Sequence, residues 1–583
     1  MKFDDVLVKI GEFGTYQKRI YFLLCLPAIN SGIFMVISVF ILGVPNHRCA
    51  IPGYDNDTYE VQNHYHQMLI NKTIPPPTDE KFLYHECHLY VNRSGSYDTN
   101  NKPINATEET CSKWVYDKTD FESTFTSEKD LVCGDDNLPS VAKMLFFGGV
   151  LVGAFVFGVI SDVIGRKKTL LISFVINIGT SIGLAWADSY IVFVVLRFLI
   201  GAANAGIFLT GFVIGMELVG PSKRMWAGVV VEYFFAIGLL ILAGVAYLLR
   251  DWKYIEMAVA FPNILYLSYY WIVPESPRWL LSQGRFVEAE EIMRKAAEVN
   301  KASLPDKIFD KDSIDLTAPK GKLWHLFSTR VMFIRTLVIF FNWMVVSMVY
   351  YGLSLNTGNL GGNFYLNFTI SGLVEFPAYT LCILLLDRIG RKWLHFIAMV
   401  AGGVACVSTV FTTIYGGESL HAVTVTLAMI GKLGAAAAFA VIYIFSAELY
   451  PTVVRNAGMG ASSCCARVGG ILAPYVADMN KVVSGDFGRA LPLVIFGAAS
   501  IAAGVLALAL PETLHKELPE SIVDAEHFGK KAIKEKEKEV YVNEAYDQDI
   551  NLSDETKSSI KSNGHENTVT ETSAQNGYGD TKM

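Results

Sequence analysis

Hydrophobic positions along the chain gather into twelve long runs, at residues 20–44, 141–160, 168–187, 190–216, 225–248, 254–273, 331–355, 363–386, 393–415, 421–447, 456–478 and 489–510. Such runs match the roughly 20 residues a helix needs to cross a bilayer and are too long for barrel strands. Hydrocarbon offers no water to bond, so each run must satisfy its own backbone groups, which a helix does. The pattern predicts an all-α membrane protein with twelve transmembrane helices. Basic residues cluster in short connections, at Arg166-Lys167-Lys168, Lys223-Arg224, Arg388 with Arg391-Lys392, and Arg455. Counting spans puts all of these on one side, which their positive charge marks as cytoplasmic, together with both termini. Met1 to Glu12 carries Asp4, Asp5 and Glu12 and leads into the first run without the basic start of a cleaved signal. The first span is expected to serve as the signal itself.

Residues 45–140 are polar, hold Cys49, Cys87, Cys111 and Cys133, and carry acceptor sequons at Asn56, Asn71, Asn92 and Asn105. Sequons clustered beside cysteines predict an extracellular, glycosylated cap, although two further sequons fall at Asn367 and Asn551. Four cysteines allow three pairings, and the sequence does not choose among them. After Pro511 the chain is rich in Lys, Glu, Ser, Thr and Asn, a composition that cannot bury a core, so 511–583 is predicted to be a disordered tail.

Composition narrows the class. The 583 residues are 52% hydrophobic and 18% charged, with a mean hydropathy of +0.34, whereas soluble domains carry about a quarter charged residues. A net charge of −7 and a pI near 5.9 remove the basic field that draws a protein to nucleic acid. No metal-ligand spacing and no nucleophile triad is visible, and Gly431-Lys432-Leu433 lacks the glycine spacing of a phosphate loop. The reading is therefore not an enzyme, with no cofactor and no direct use of ATP; sodium or proton coupling is left open.

The chain also repeats itself. Asp162-Val163-Ile164-Gly165-Arg166-Lys167 returns as Asp387-Arg388-Ile389-Gly390-Arg391-Lys392. Glu217 ahead of a proline and an arginine returns as Glu448-Leu449-Tyr450-Pro451 with Arg455, and Pro274-Glu275-Ser276 returns as Pro511-Glu512-Thr513. Three landmarks in one order predict two six-helix halves, the arrangement an alternating-access carrier uses. The expected organisation is 1–275 with the cap 45–140, a cytoplasmic linker 276–330, a second half 331–510 and the tail.

Gly158-x-x-x-Asp162-x-x-Gly165-Arg166-Lys167-Lys168, between the second and third helices, resembles the signature of the major facilitator superfamily. Pro274-Glu275-Ser276-Pro277-Arg278-Trp279-Leu280-Leu281, Gly220-Pro221-Ser222 and Leu242-Ala243-Gly244-Val245-Ala246-Tyr247 closely resemble the organic cation, carnitine and organic anion transporters of that superfamily. Gly431-Lys432-Leu433-Gly434 and Ala447-Glu448-Leu449-Tyr450-Pro451-Thr452-Val453-Val454-Arg455-Asn456 look most like the carnitine-type, insect organic cation transporter-like branch. Sugar porters share Pro-Glu-Ser-Pro-Arg, but Asn342-Trp343-Met344-Val345-Val346-Ser347 lacks their glutamine-rich seventh helix, and they lack a large cysteine-bearing first loop.

Glu375, Lys432 and Arg467 fall near the centres of their spans, with Glu232 and Arg197 about two turns from an end. A charge at a helix centre costs roughly 2.5–3.5 kcal/mol on insertion scales, so such groups face a polar path or one another. Arg197 and Lys432 are read as helix-locking. Glu217 with Arg224 and Glu448 with Arg455 are read as latch pairs that, with Asp162, Arg166, Asp387 and Arg391, set the opening equilibrium. Trp343 and Tyr350, seven apart, share one helix face and could hold a quaternary ammonium by cation–π contact. The resemblance implies that they line the substrate cavity together with Phe208, Glu232, Phe235 and Glu375, and more loosely Asn30. Arg467 departs from the vertebrate cation branch, whose members carry an acid there, and matches the anion and carnitine branches.

These residues describe a plasma-membrane secondary carrier of organic cations or carnitine-like zwitterions, Glu375 holding the positive end and Arg467 the carboxylate. An organic anion exchanger is the nearest rival, and a non-transporting receptor glycoprotein the rival from another class. Asp580-Thr581-Lys582-Met583 resembles a peptide that adds a strand to a PDZ-type scaffold.

Overall fold

The computed structural model describes residues 3–77, 83–91, 107–309, 323–479, 483 and 485–529. The Asn92 and Asn105 sequons, the Asn551 sequon, the tail from residue 530 and its last four residues lie outside them, whereas residues 511–529, expected to be disordered, are ordered, with a short helix Ile522–His527 and the Thr452 amide donating to the Pro519 carbonyl at 3.1 Å. Each predicted apolar run is helical. The helices are α1 (Thr15–Val36, extended by Ser38–Ile41), α2 (Leu138–Ile164), α3 (Arg166–Leu184), α4 (Tyr190–Leu218), α5 (Arg224–Leu249) and α6 (beginning as Trp252–Ala260). The second set is α7 (Arg330–Leu355), α8 (Phe364–Leu373 and Glu375–Ile389), α9 (Arg391–Tyr415), α10 (His421–Leu449), α11 (Arg455–Ala477) and α12 (Asp486–Ala507). Among the described residues, nine helical stretches are long and apolar enough to cross a membrane by themselves. Of the others, α3 has 19 residues and opens on three basic ones, while Arg455, Arg467 and several glycines dilute α11.

Two spans differ from the uninterrupted helices the sequence predicts. The sixth run is α-helical only to Ala260 and continues as a 3-10 turn, Phe261–Ser268, before Tyr269–Ile272. Pro262 at its start has no N–H to continue the ladder. The eighth run breaks at Val374, which leaves Glu375 at the head of a new helical segment. Glycines set two other features. Gly165 and Gly390, at φ +110° and +98°, make the turns from α2 to α3 and from α8 to α9, a conformation other residues resist. At Gly469 a side chain would strike the Met344 carbonyl, so its absence lets α11 lie directly against α7.

The cap holds two short antiparallel ribbons, β1 (His47–Cys49) with β4 (Trp114–Tyr116) and β2 (His88–Val91) with β3 (Thr107–Thr110). Of the three pairings the sequence leaves open, the structure has Cys49–Cys111 and Cys87–Cys133. His47 lies beside Cys87 and Cys133, whose sulfurs are spent in that disulfide and offer a metal no thiolate. Arg48, fully buried, forks onto Asp57 at 2.5 and 3.0 Å, and His66 Nε2 lies 2.8 Å from the same carboxylate. Burial raises the Asp57 pKa, but hydrogen bonds from Arg48, the Ile51 amide and His66 outweigh it and hold the carboxyl below its usual range. Asn56 is exposed, Asn71 lies on the helix His64–Thr73, and Asn367 is buried in α8, donating to the Gly361 carbonyl at 2.6 Å.

Candidate functional site

On α7, Trp343, Ser347, Tyr350 and Ser354 recur every three or four residues, so one helix face carries them all, and all four are buried. The break in α8 presents Glu375 to that face, with Tyr379 one turn further on. From α10, Lys432 completes the cluster. Its Nζ lies 2.9 Å from Glu375 Oε1, donates to Ser354 Oγ at 2.6 Å, and sits 3.3 Å from the centre of the Tyr350 ring. The Tyr350 hydroxyl donates to Glu375 Oε1 at 2.7 Å and the Tyr379 hydroxyl to Oε2 at 3.0 Å. A buried ion pair survives only when its remaining lone pairs and protons are also satisfied, and these tyrosines and Ser354 do that. Lys432 therefore locks α10 to α7 and α8. Glu375, expected from the resemblance to receive a cation, has both oxygens occupied in this state.

Trp343 donates its indole N–H to Ser446 Oγ at 2.8 Å, and its ring centre lies 4.4 Å from that of Tyr443. Tyr443 is 5.7 Å from Phe439, which is 5.4 Å from Tyr350. Trp343 and Tyr350 are thus joined through α10 into one aromatic wall, extended by Tyr351 and by Phe147 of α2 at 5.0 Å. Sequence reasoning singled out neither Tyr351, Tyr379, Phe439 nor Tyr443. A usable signal exists in α10, where Lys432, Phe439 and Tyr443 fall seven and eleven positions apart on a single face.

Arg467, half-buried on α11, acts electrostatically on Tyr351 and Tyr443, and its Nε is buried without a hydrogen-bond partner. Glu232 of α5, also half-buried, acts on the same two tyrosines and on Glu375, and among the described residues it makes no ion pair or side-chain hydrogen bond. A half-buried acid from the first half and a half-buried base from the second, neither in an ion pair among the described residues, therefore act on the same two tyrosines. Phe235 packs edge-on against Phe208 at 6.4 Å beside them. Asn30 points away from this group, donating to Asn263 at 2.5 Å, which in turn donates to Asn177 at 3.2 Å, a chain inside the first half. Arg197 is fully buried, stacked 4.4 Å from the centre of the Phe146 ring and donating to Ser38. Glu256, fully buried, feels its charge and the nearby Ser181 hydroxyl; the sequence reading passed over this acid.

On the side opposite the cap, the duplicated motifs build the same cluster twice. Arg166 bonds Asp162 and lies 3.6 Å from Glu217, which accepts from Ser276 at 2.5 Å, while Glu275 accepts from the Lys167 amide at 3.0 Å. Arg391 lies 3.1 Å from Asp387 and 3.0 Å from Glu448, which accepts from Thr513 at 2.5 Å, while Glu512 accepts from the Arg391 amide at 2.9 Å. The partner assignment from sequence is corrected here. Glu217 meets Arg166 rather than Arg224, because Arg224 is drawn off to Asp4 at 2.7 Å. Glu448 meets Arg391, whereas Arg455 donates to the Tyr450 carbonyl at 3.3 Å and only feels Glu448 at a distance.

Each of those clusters closes within its own half. On the cap side, contacts join the halves: Asp478 of α11 accepts from Ser140 at 2.5 Å and pairs with Lys143 at 3.2 Å, both on α2. Phe40 packs on Phe364, Tyr365 and Phe368, and the Tyr365 hydroxyl donates to the Asp120 carbonyl at 2.6 Å.

Two related six-helix halves meeting at a central polar and aromatic site define a membrane carrier of the major facilitator fold. A solved structure of the xylose transporter XylE from E. coli, in a partially occluded inward-open conformation, matches with a TM-score of 0.58 at 15% identity, over 86% of this chain and 100% of that one. XylE bound to 6-bromo-6-deoxy-D-glucose gives 0.53 at 20% identity, over 68% and 90%. At such identities the likeness concerns the fold. The family model described as sugar (and other) transporter matches residues 94–523. The chain is 42% identical to an organic cation transporter protein of Drosophila melanogaster, over 91% of this chain and 96% of that one. It is 36% identical to organic cation/carnitine transporter 2 of Homo sapiens, over 89% and 93%. The chain belongs to the sugar (and other) transporter family and, within it, to the organic cation and carnitine transporters, multi-pass proteins of the plasma membrane.

Proposed function

We propose that this protein carries organic cations or zwitterions pairing a quaternary ammonium with a carboxylate, by rocking of halves 1–275 and 331–510 about the central site. The observation that carries the reading is that Glu232 and Arg467, neither in an ion pair among the described residues, both act on Tyr351 and Tyr443. A zwitterion supplies the opposite of each charge, and the aromatic wall of Tyr350, Tyr351 and Trp343 suits a trimethylammonium head. Glu232 takes the cationic end in this state. Glu375 is a second acid that becomes available when Lys432 moves away. Asp162, Arg166, Glu217, Asp387, Arg391 and Glu448 latch each half and, with Arg224 and Arg455 at its edge, bias opening on the side opposite the cap. Both termini and the linker 276–330 lie in the cytoplasm, and the cap is glycosylated. Membership of a transporter family supports transport without catalysis and without direct ATP use. The test is uptake by expressing cells of labelled cation, zwitterion and anion panels, with membrane potential and sodium varied independently; preferential anion uptake would favour an exchanger of organic anions, for which the unpartnered Arg467 is the supporting observation.

A further inference from the structure

A cleft of about 460 Å³ is lined by residues of the first half alone. Its walls are the ends of α1 and α5 opposite the cap: Phe13, Lys18, Tyr21 and Phe22 on one side, and Lys223, Trp226, Ala227, Val230 and Phe234 on the other. The helix periodicity turns this cleft toward lipid. On α5, Phe235 faces Phe208 and Tyr233 faces Phe376 and Tyr379 of α8, while Phe234 between them points elsewhere, edge-on to Phe22 at 5.6 Å. On α1, the Leu23 and Leu26 carbonyls accept from Tyr269 and Tyr266 of the sixth span, and the Tyr21 hydroxyl reaches Ala227 of α5. Phe22 lies between those two neighbours and is 54% exposed, as Trp226 is 51% exposed. Exposed aromatics at the end of a span are at home in the interfacial zone of a bilayer.

Two cations guard the mouth. Lys18 and Lys223 are exposed, and neither makes an ion pair among the described residues, although nearby Arg224 is neutralised by Asp4. The groove is therefore apolar and aromatic where acyl chains lie and positively charged where headgroups lie. We infer that this cleft holds one anionic phospholipid of the leaflet opposite the cap, its headgroup charge between Lys18 and Lys223 and its acyl chain along Phe22, Val230 and Phe234. Charge complementarity decides the occupant: a neutral phosphatidylcholine fills the apolar part equally well but leaves both ammonium groups without a counter-charge, and juxtamembrane lysines are known to gain from anionic headgroups. Phe13 and Glu12 lie on the turn that joins the N-terminal helix Phe3–Lys9 to α1, and the Glu12 carbonyl accepts from the Gly220 amide at 2.8 Å. A lipid in the cleft consequently braces the N-terminal segment against the α4–α5 connection. The inference rests on the membrane-carrier fold and not on any choice of substrate.

The experiment is native mass spectrometry of the full-length protein released from nanodiscs that contain phosphatidylcholine with a fifth part phosphatidylserine. Wild-type protein should retain one phosphatidylserine. Reversing both lysines, K18E/K223E, should lower that retention about thirtyfold, from the loss of roughly one favourable contact per lysine. A control reversal of the same net charge at two exposed lysines of the cap, K113E/K118E, should leave it unchanged. Stripping the aromatic lining with the F22A/W226A variant should lower retention of both lipids, and soluble glycerophosphoserine should not compete. Equal retention by K18E/K223E and wild type, or an equal loss in the cap control, would overturn the inference. Competition by the soluble headgroup would also overturn it, by showing a free-phosphate site. Should K18E/K223E prove unstable, K18Q/K223Q is read in the same way.

Discussion

Lys432 Nζ sits 2.9 Å from Glu375 Oε1 and over the face of Tyr350, so the acid that a cation would seek is already neutralised from within the same half. Removing Lys432 leaves Glu375 buried and uncompensated, which costs about 3–5 kcal/mol. K432A should therefore lower the melting temperature of the purified protein, and the E375A/K432A double variant should recover much of the loss. A saturating organic cation should raise the melting temperature of K432A more than that of wild type. Additive losses in the double variant would show the two side chains to be independent.

Asp478, with Ser140 and Lys143, clamps α11 to α2 on the cap side. D478N removes one partly buried ion pair, worth about 1 kcal/mol or roughly a fivefold population shift. The shift should favour the state open toward the cap. Labelling of Cys464 or Cys465 by an impermeant thiol reagent added outside should rise accordingly. An unchanged labelling rate would mean that the aromatic contacts of Phe40 hold the cap side shut without Asp478.

Much of this was legible in the sequence, for a physical reason. Asp162/Asp387, Arg166/Arg391, Glu217/Glu448 and Glu275/Glu512 recur because both halves close the same backbone amides and the same glycine turn, so local motif and local structure coincide. Partners brought together over long separations were not legible. Arg224 goes to Asp4, some 220 residues away, and no spacing rule foretells that. The two disulfides, the union of Glu375 with Lys432, and the turning of Asn30 toward Asn263 likewise depend on how helices pack, since each side chain has several candidate partners of equal chemistry.

The Asp57 carboxyl in the cap is held below its usual pKa by Arg48, the Ile51 amide and His66. A lowered folded-state pKa gives stability that is fully present above the unfolded value of about 3.9 and is lost as pH falls through the folded one. Protease protection of the cap should thus be constant from pH 7 to 5 and drop in stronger acid. D57N should be less protected at neutral pH and should lack the acid step. A step of the same size in D57N would assign it to another group.

Glycosidase treatment should reduce the apparent mass, and replacing Asn56, Asn71, Asn92 and Asn105 together should abolish most of that reduction. A full shift persisting in the quadruple variant would contradict the assignment of the cap as the glycosylated face.

Cargo charge decides what drives uptake. A cation entering across 100 mV gains about 2.3 kcal/mol, nearly fiftyfold accumulation, whereas a zwitterion gains nothing unless an ion accompanies it. The most direct measurement is uptake into liposomes holding purified wild-type or R467A protein, comparing a trimethylammonium carboxylate with a simple quaternary ammonium of similar size. Wild-type protein should move both, and R467A should lose roughly 2–5 kcal/mol of transport efficiency for the zwitterion while the simple cation is less affected or improved. Equal losses for both cargoes in properly folded R467A would contradict that expectation, showing Arg467 to be a structural group rather than the seat of the carboxylate.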